Sequence, residues 1–156
     1  MAALTKGRKT PRFAGGGLRN LPVAASAVCF TGGLAIAAAG QARAGREGQG
    51  ADNTAKAADA ATYRAVGVFL KDVTGGSADG DVRVDVQEGV FAFKNSAAAD
   101  EITQVDIGKP CFVVDDQTVA KTSPNSTRAA AGIVQEVGPE GVWVDVSLTN
   151  SALLAA

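Results

Sequence analysis

The sequence predicts an all-β (mainly β) domain. It reads as a small barrel or sandwich of short antiparallel strands, with an extended N-terminal arm and at most one short helix. Three observations predict it. Apolar and polar residues alternate in short runs, most clearly where Val82, Val84 and Val86 interleave with Arg83, Asp85 and Gln87. Gly, Asp and Pro clusters interrupt such runs about every 8–12 residues, the spacing of sandwiches and barrels. Aromatic residues make up only 5% of the chain, while fifteen alanines fall between Ala24 and Ala61. Such a chain buries little area per residue, so association is expected to supply what a modest core lacks.

In chain order, Met1–Arg19 reads as an arm. "TKGRKTPRF" followed by Gly15-Gly16-Gly17 combines proline, glycine and clustered charge without a helical or strand period. Asn20–Gly45 poses a choice. A basic leader, an apolar run and the small-x-small triplet Ala42-Arg43-Ala44 are also the parts of a cleaved secretory signal. Thr31-Gly32-Gly33 interrupts that run, however, and the two glycines suit a sharp turn between the short strands "AVCF" and "LAIA". From Ala44 to about Thr62 the chain is small and polar, a loop with room for one short helix at its end.

The β signals then come close together. Tyr63–Val73 is a compact apolar run closed by the turn-rich "TGGSADGD". "VRVDVQEGVFAFK" reads as a hairpin or bulged strand turning at Glu88-Gly89. "SAAADEITQVDIG" has room for one helical turn. "CFVV", "DDQ" and "TVAK" read as strand, tight turn, strand. "AAGIVQEV", "GPEG" and "VWVDVSL" make a last hairpin, in which Val142, Val144 and Val146 alternate with Trp143, Asp145 and Ser147. The single domain so drawn spans residues 20–148, with a short tail at 149–156.

Charge is split along the chain. Residues 1–50 hold seven Lys/Arg and one acidic residue, residues 51–156 eight and fifteen, giving +6 and −7 and the net −1. An arm of one sign on a body of the other points to contacts with neighbouring copies or another surface. No run reaches the ~20 continuous apolar residues of a membrane-spanning helix. Nucleic acid is an unlikely partner, because the arm interleaves only Phe13 among its charges and the body is acidic.

Catalytic signals are missing. With no histidine, neither a Ser-His-Asp nor a Cys-His set is possible. Asp115-Asp116 reads as a turn, since adjacent side chains of an extended chain point apart and cannot share a proton. Asp79 and Asp81 faintly resemble a calcium loop but lack its further ligands, so no metal is expected. Cys29 and Cys111 have apolar neighbours and no CxxC spacing, which points to packing rather than redox work. No cofactor, small-molecule substrate or enzymatic activity is expected.

The C-terminal half carries an ordered pattern: "VGV" at Val66–Val68, "GVFAF" at Gly89–Phe93, "DIGKPCFVVDDQTVA" at Asp106–Ala120, then "AGIV" at Ala131–Val134 with "GVWV" at Gly141–Val144. This resembles the small capsid decoration (cement, or minor capsid) proteins of tailed bacteriophages. "PVAASAVCFTGGLAIAAAGQA" at Pro22–Ala42 is similar to that family's opening strand pair. The resemblance implies a small β-barrel or β-tulip-like domain that assembles as a homotrimer on the outer surface of the virion's capsid, where it clamps neighbouring major capsid protein capsomers. It leaves Lys6, Arg8, Lys9, Arg12, Phe13 and Arg19 of the arm as candidate capsid or neighbour contacts. Trp143 is a candidate interface or packing anchor. The alternative expectation is a secreted or periplasmic β-domain, released from a signal peptide, that binds a ligand or surface partner.

Overall fold

In the computed structural model, which describes residues 17–155, the alternating segments form twelve strands arranged as two β units that share a seam. The first unit is a five-stranded antiparallel sheet. It is built from β1 (Leu18–Pro22), β3 (Leu34–Ala38), β4 (Gln41–Ala44), β5 (Arg64–Phe69) and β7 (Arg83–Gln87), in the order β1-β7-β5-β3-β4. Its outer strands curl toward each other, and a parallel bridge between Val23 and Ala42 joins them. A two-stranded ribbon, β2 (Val28–Cys29) with β6 (Val73–Thr74), flanks the sheet. The second unit is a closed five-stranded barrel, β10-β8-β12-β11-β9, formed by β8 (Gly89–Asn95), β9 (Pro110–Val113), β10 (Thr118–Ala120), β11 (Ala130–Gly138) and β12 (Gly141–Val146). The mainly β fold class is thus observed, with a small barrel as its centre.

β3 and β5 are buried on both faces, and this joins the units. Leu34, Ile36, Ala65 and Val68 pack with the barrel interior, where Phe93, Cys111, Val113, Val134, Val142, Val144 and Val146 meet. Ala35, Val66 and Phe69 face the other way, toward Val23, Cys29, Val84 and Val86. Two opposed faces on one strand explain why "LAIAA" and "AVGVF" read as continuous apolar runs rather than alternating ones.

Several expectations need correcting. "AVCF" and "LAIA" form β2 and β3, but not a hairpin: β2 pairs with β6, and β3 with β4 and β5. The end of β5 lies against the Gly32-Gly33 turn, with Gly32 N–H donating to Phe69 O and Phe69 N–H to Gly33 O. β7 and β8 do not pair either, because a single residue, Glu88, separates them and a hairpin needs a loop of about two. The chain passes there from the sheet to the barrel.

Two short helices form instead of at most one. In α1 (Asn53–Ala60) the Asp52 carboxylate accepts from Ala55 N–H. In α2 (Leu148–Leu154), where a tail was expected, the Ser147 hydroxyl accepts from Asn150 N–H. Single 3-10 turns occupy Ala98–Asp100, Gln104–Asp106 and Pro124–Ser126. Arg19 lies in β1 (Leu18–Pro22) and not in an arm ending at residue 19.

Candidate interaction surface

The alternation in β12 sorts its residues as expected. Val142, Val144 and Val146 are fully buried inside the barrel, and Trp143, the chain's one tryptophan, lies half-buried on the outer face. Its cross-strand neighbours are Ala92 on β8 and Glu136 on β11. One rung along, Asp145 sits between Val90 and Ile133. Val90 is 47% exposed. This outer face therefore presents an apolar strip bordered by carboxylates, with Glu140 in the connecting turn and Lys94 at its far end. Among the described residues, Glu136, Glu140 and Asp145 form no ion pair.

Of the arm's candidates, Lys6, Arg8, Lys9, Arg12 and Phe13 lie outside the described residues. Arg19 projects from β1 and donates to Glu88 Oε1, which also accepts Leu148 N–H at 2.7 Å. Glu88 thus ties β1, the sheet-to-barrel crossover and the start of α2. Short-range pattern gives no sign of this, since its partners lie 60 and 69 residues away.

Two further polar clusters hold loops to the frame. Arg128, its side chain only 14% exposed, donates to Glu47 at 2.7 Å and to Asp100 at 3.0 Å. Partial burial works against its charge, but the two carboxylates outweigh it and raise its pKa. Tyr63 donates to Asp59 and accepts from Arg46 Nε at 2.9 Å. Burial, then the Asp59 carboxylate, pushes the phenol above its ordinary range. For Asp59 burial works the other way, yet the bonds from Tyr63 and Gln49 N–H hold it below the usual carboxylate range. Both clusters are closed, each charge meeting a partner on the same cluster, as structural ties do.

The cysteines and the turn aspartates hold the frame as well. Cys29 and Cys111 are free, buried and in different cores. Burial raises both thiols, Cys111 to about 12, and so disfavours the thiolate form. Asp115 turns the chain by accepting Gln117 N–H at 2.9 Å. Asp79 accepts from Ala25 N–H, and Asp81 from Ala78 N–H. No cluster with metal-ligand geometry occurs among the described residues.

Two concavities flank Phe112 on the outside of β9. One, of about 460 Å³, opens between α1, α2 and the barrel and is floored by Ala57, Ala60, Ala129 and Ala130. The other, of about 200 Å³, lies between Ile102, Pro110 and Val134, with Lys109 and Lys121 at its edge. Ser123, Ser126 and Ser151 also line the first, and Asp106, which accepts from Lys109 at 3.2 Å, lines the second. No helix among the described residues is long and apolar enough to cross a membrane. Compared with family models, curated proteins and solved structures, the chain matches none.

Proposed function

We propose that this chain is a structural virion protein: a capsid decoration protein of a tailed bacteriophage, bound as a homotrimer to the outer shell between major capsid protein capsomers. The observation that carries the reading is where the family-like segments fall. "VGV" lies in β5, "GVFAF" opens β8, "DIGKPCFVVDDQTVA" runs through β9 and β10, and the last two segments lie in β11 and β12. The resemblance thus follows every strand of the barrel and the strand that joins it to the sheet. Closed polar ties and buried thiols suit a scaffold better than a catalyst. Exposed apolar side chains such as Phe30, Val105 and Leu153 give a small domain surfaces to bury on assembly. Weak contacts suffice for attachment when many are made on one lattice.

The secreted reading fares worse. A cut after Ala44 would remove β1, β3 and β4, three of the sheet's five strands, and with them the wholly buried Leu34, Ala35 and Ile36. Native mass spectrometry tests both readings. The expected species is three chains of 15.6 kDa, each retaining Phe13. That species should co-sediment with shells assembled from a tailed-phage major capsid protein. A monomer that never binds such shells would overturn the capsid reading, and a chain starting at Gly45 would establish the secreted one.

A further inference from the structure

We propose that the concavity between the turn at residues 25–28 and the end of β4 binds a phosphate-class oxyanion, held by Arg43 and Arg46. The inference does not depend on the capsid reading.

The walls are built before any ligand arrives. The concavity, of about 310 Å³, is lined by residues 25–28 on one side and 43–46 on the other. Backbone bonds fix both sides. Ser26 N–H donates to Gly76 O at 2.9 Å and Ala27 N–H to Ala24 O at 3.1 Å, while Gly45 N–H donates to Leu34 O at 2.8 Å. The lining holds two arginines, the Ser26 hydroxyl and small apolar side chains, with no acidic residue. Walls already held in place lower the ordering cost of binding.

Arg43 makes the deciding observation. Its Nε is buried and has no hydrogen-bond partner. A buried donor left unmatched costs free energy, and an acceptor entering from the concavity that Arg43 lines removes that cost. Carboxylates of the chain do not fill this role. Among the described residues no ion pair involves Arg43 or Arg46, and residues 1–16 contain neither Asp nor Glu. Asp59 is within electrostatic reach of both arginines, but its carboxylate already accepts the Tyr63 hydroxyl and Gln49 N–H.

Arg46 is positioned in advance. Its Nε donates to the Tyr63 hydroxyl oxygen at 2.9 Å, and its guanidinium carbon lies over that ring, 5.5 Å from the centre. That bond leaves both Nη groups out. A planar carboxylate matches one guanidinium fork, whereas a tetrahedral phosphate has oxygens for two. Gln41 Oε1 is also buried without a partner, but it is an acceptor and does not line the concavity, so the anion is not brought against it.

The test titrates the full-length, isotope-labelled chain with sodium phosphate, against sodium chloride of equal ionic strength, by nuclear magnetic resonance. We expect saturable shifts of the Arg43 and Arg46 Nε–Hε signals and of the Ser26 and Ala44 amides, with chloride giving none. Arg43→Gln should weaken phosphate binding at least about tenfold, with the far-ultraviolet circular dichroism retained. Arg43→Lys and Arg46→Lys keep the charge but lose the fork, and each should weaken binding several-fold. Those two variants decide the matter if Arg43→Gln does not fold. Glycerol 3-phosphate binding more tightly than phosphate would support the site and identify an esterified phosphate as its ligand. Equal or weaker binding of the ester would support it with the free ion as ligand. Shifts that match chloride, or rise without saturating, would mean an adventitious ion only and overturn the proposal. Wild-type affinity in the folded arginine variants would overturn it too, as would acetate binding as tightly as phosphate.

Discussion

Glu88 makes contacts that its neighbours in sequence could not supply. It alone separates β7 from β8, and its carboxylate, 18% exposed, accepts both the Arg19 guanidinium and the Leu148 N–H. Removing it leaves a half-buried guanidinium and a helix-start amide without their acceptor, and unmatched groups of this kind cost about 1–3 kcal/mol. Glu88→Ala is therefore expected to lower the free energy of unfolding by that amount, read from urea midpoints. Arg19→Ala is expected to cost less, about 0–1 kcal/mol, because the amide keeps its acceptor and the guanidinium is partly solvated. Equal losses in the two variants would show that the Leu148 bond adds nothing. In the sequence Glu88 reads as half of a turn, since Glu-Gly is a turn-permitting pair. Only the distant partners reveal its use.

At the scale of elements, a glycine decides how β5 fits between its neighbours. Opposite β3, Ile36 faces Ala65 while Ala35 faces Gly67, so Val66 is the extra residue of a bulge. The bulge lets Val66 and Phe69 face one core while Ala65 and Val68 face the other. Gly67 adopts φ +134°, and a Cβ there would lie 2.2 Å from Gln87 O. Gly40, at φ +83° in the β3–β4 turn, has nothing within 4 Å of a Cβ. Gly40→Ala should then cost only backbone strain, about 1–2 kcal/mol. Gly67→Ala should cost clearly more and show the larger drop in melting temperature. Similar drops would mean that the strand shifts freely away from Gln87.

Local pattern made most strands legible, including the β9–β10 and β11–β12 hairpins, whose turns lie between sequence neighbours. It failed where pairing is long-range: β2 joins β6, and β7 and β8 part into different sheets. The helix α2 was missed because Ser147, its cap, also fits the polar side of a strand. Trp143 was legible as an outward residue from alternation alone. Its acidic border was not, since Glu136 reaches it across a register shift between Val134 and Glu136.

For the molecule as a whole, stability should depend on acid more than on neutral pH. Asp59, Asp72 and Asp100 each tie one segment to another, and Asp106 closes the Gln104–Asp106 turn by accepting from Thr103. The Asp72 carboxylate is held low by the backbone and hydroxyl of Thr31, Asp100 by Thr122 and then Arg128, and Asp106 by Thr103 N–H against the opposing effect of desolvation. Asp59 is held low in the same direction. A depressed native pKa means that the unfolded chain binds protons first as pH falls. The stabilisation is fully present above the unfolded value, about 4, and is lost as pH drops through the lower native values. With no histidine in the chain and both thiols pushed upward, urea midpoints should stay nearly level from about pH 5 to 7 and fall steeply below about pH 4. Asp100→Asn should flatten part of that fall, because its carboxylate no longer titrates. Since β3 and β5 serve both cores, the sheet and the barrel should be lost in one transition at every pH. Trp143 fluorescence, which reports the barrel, and circular dichroism, which reports both units, should give coincident curves. Separate curves would show that the shared strands do not couple the two units.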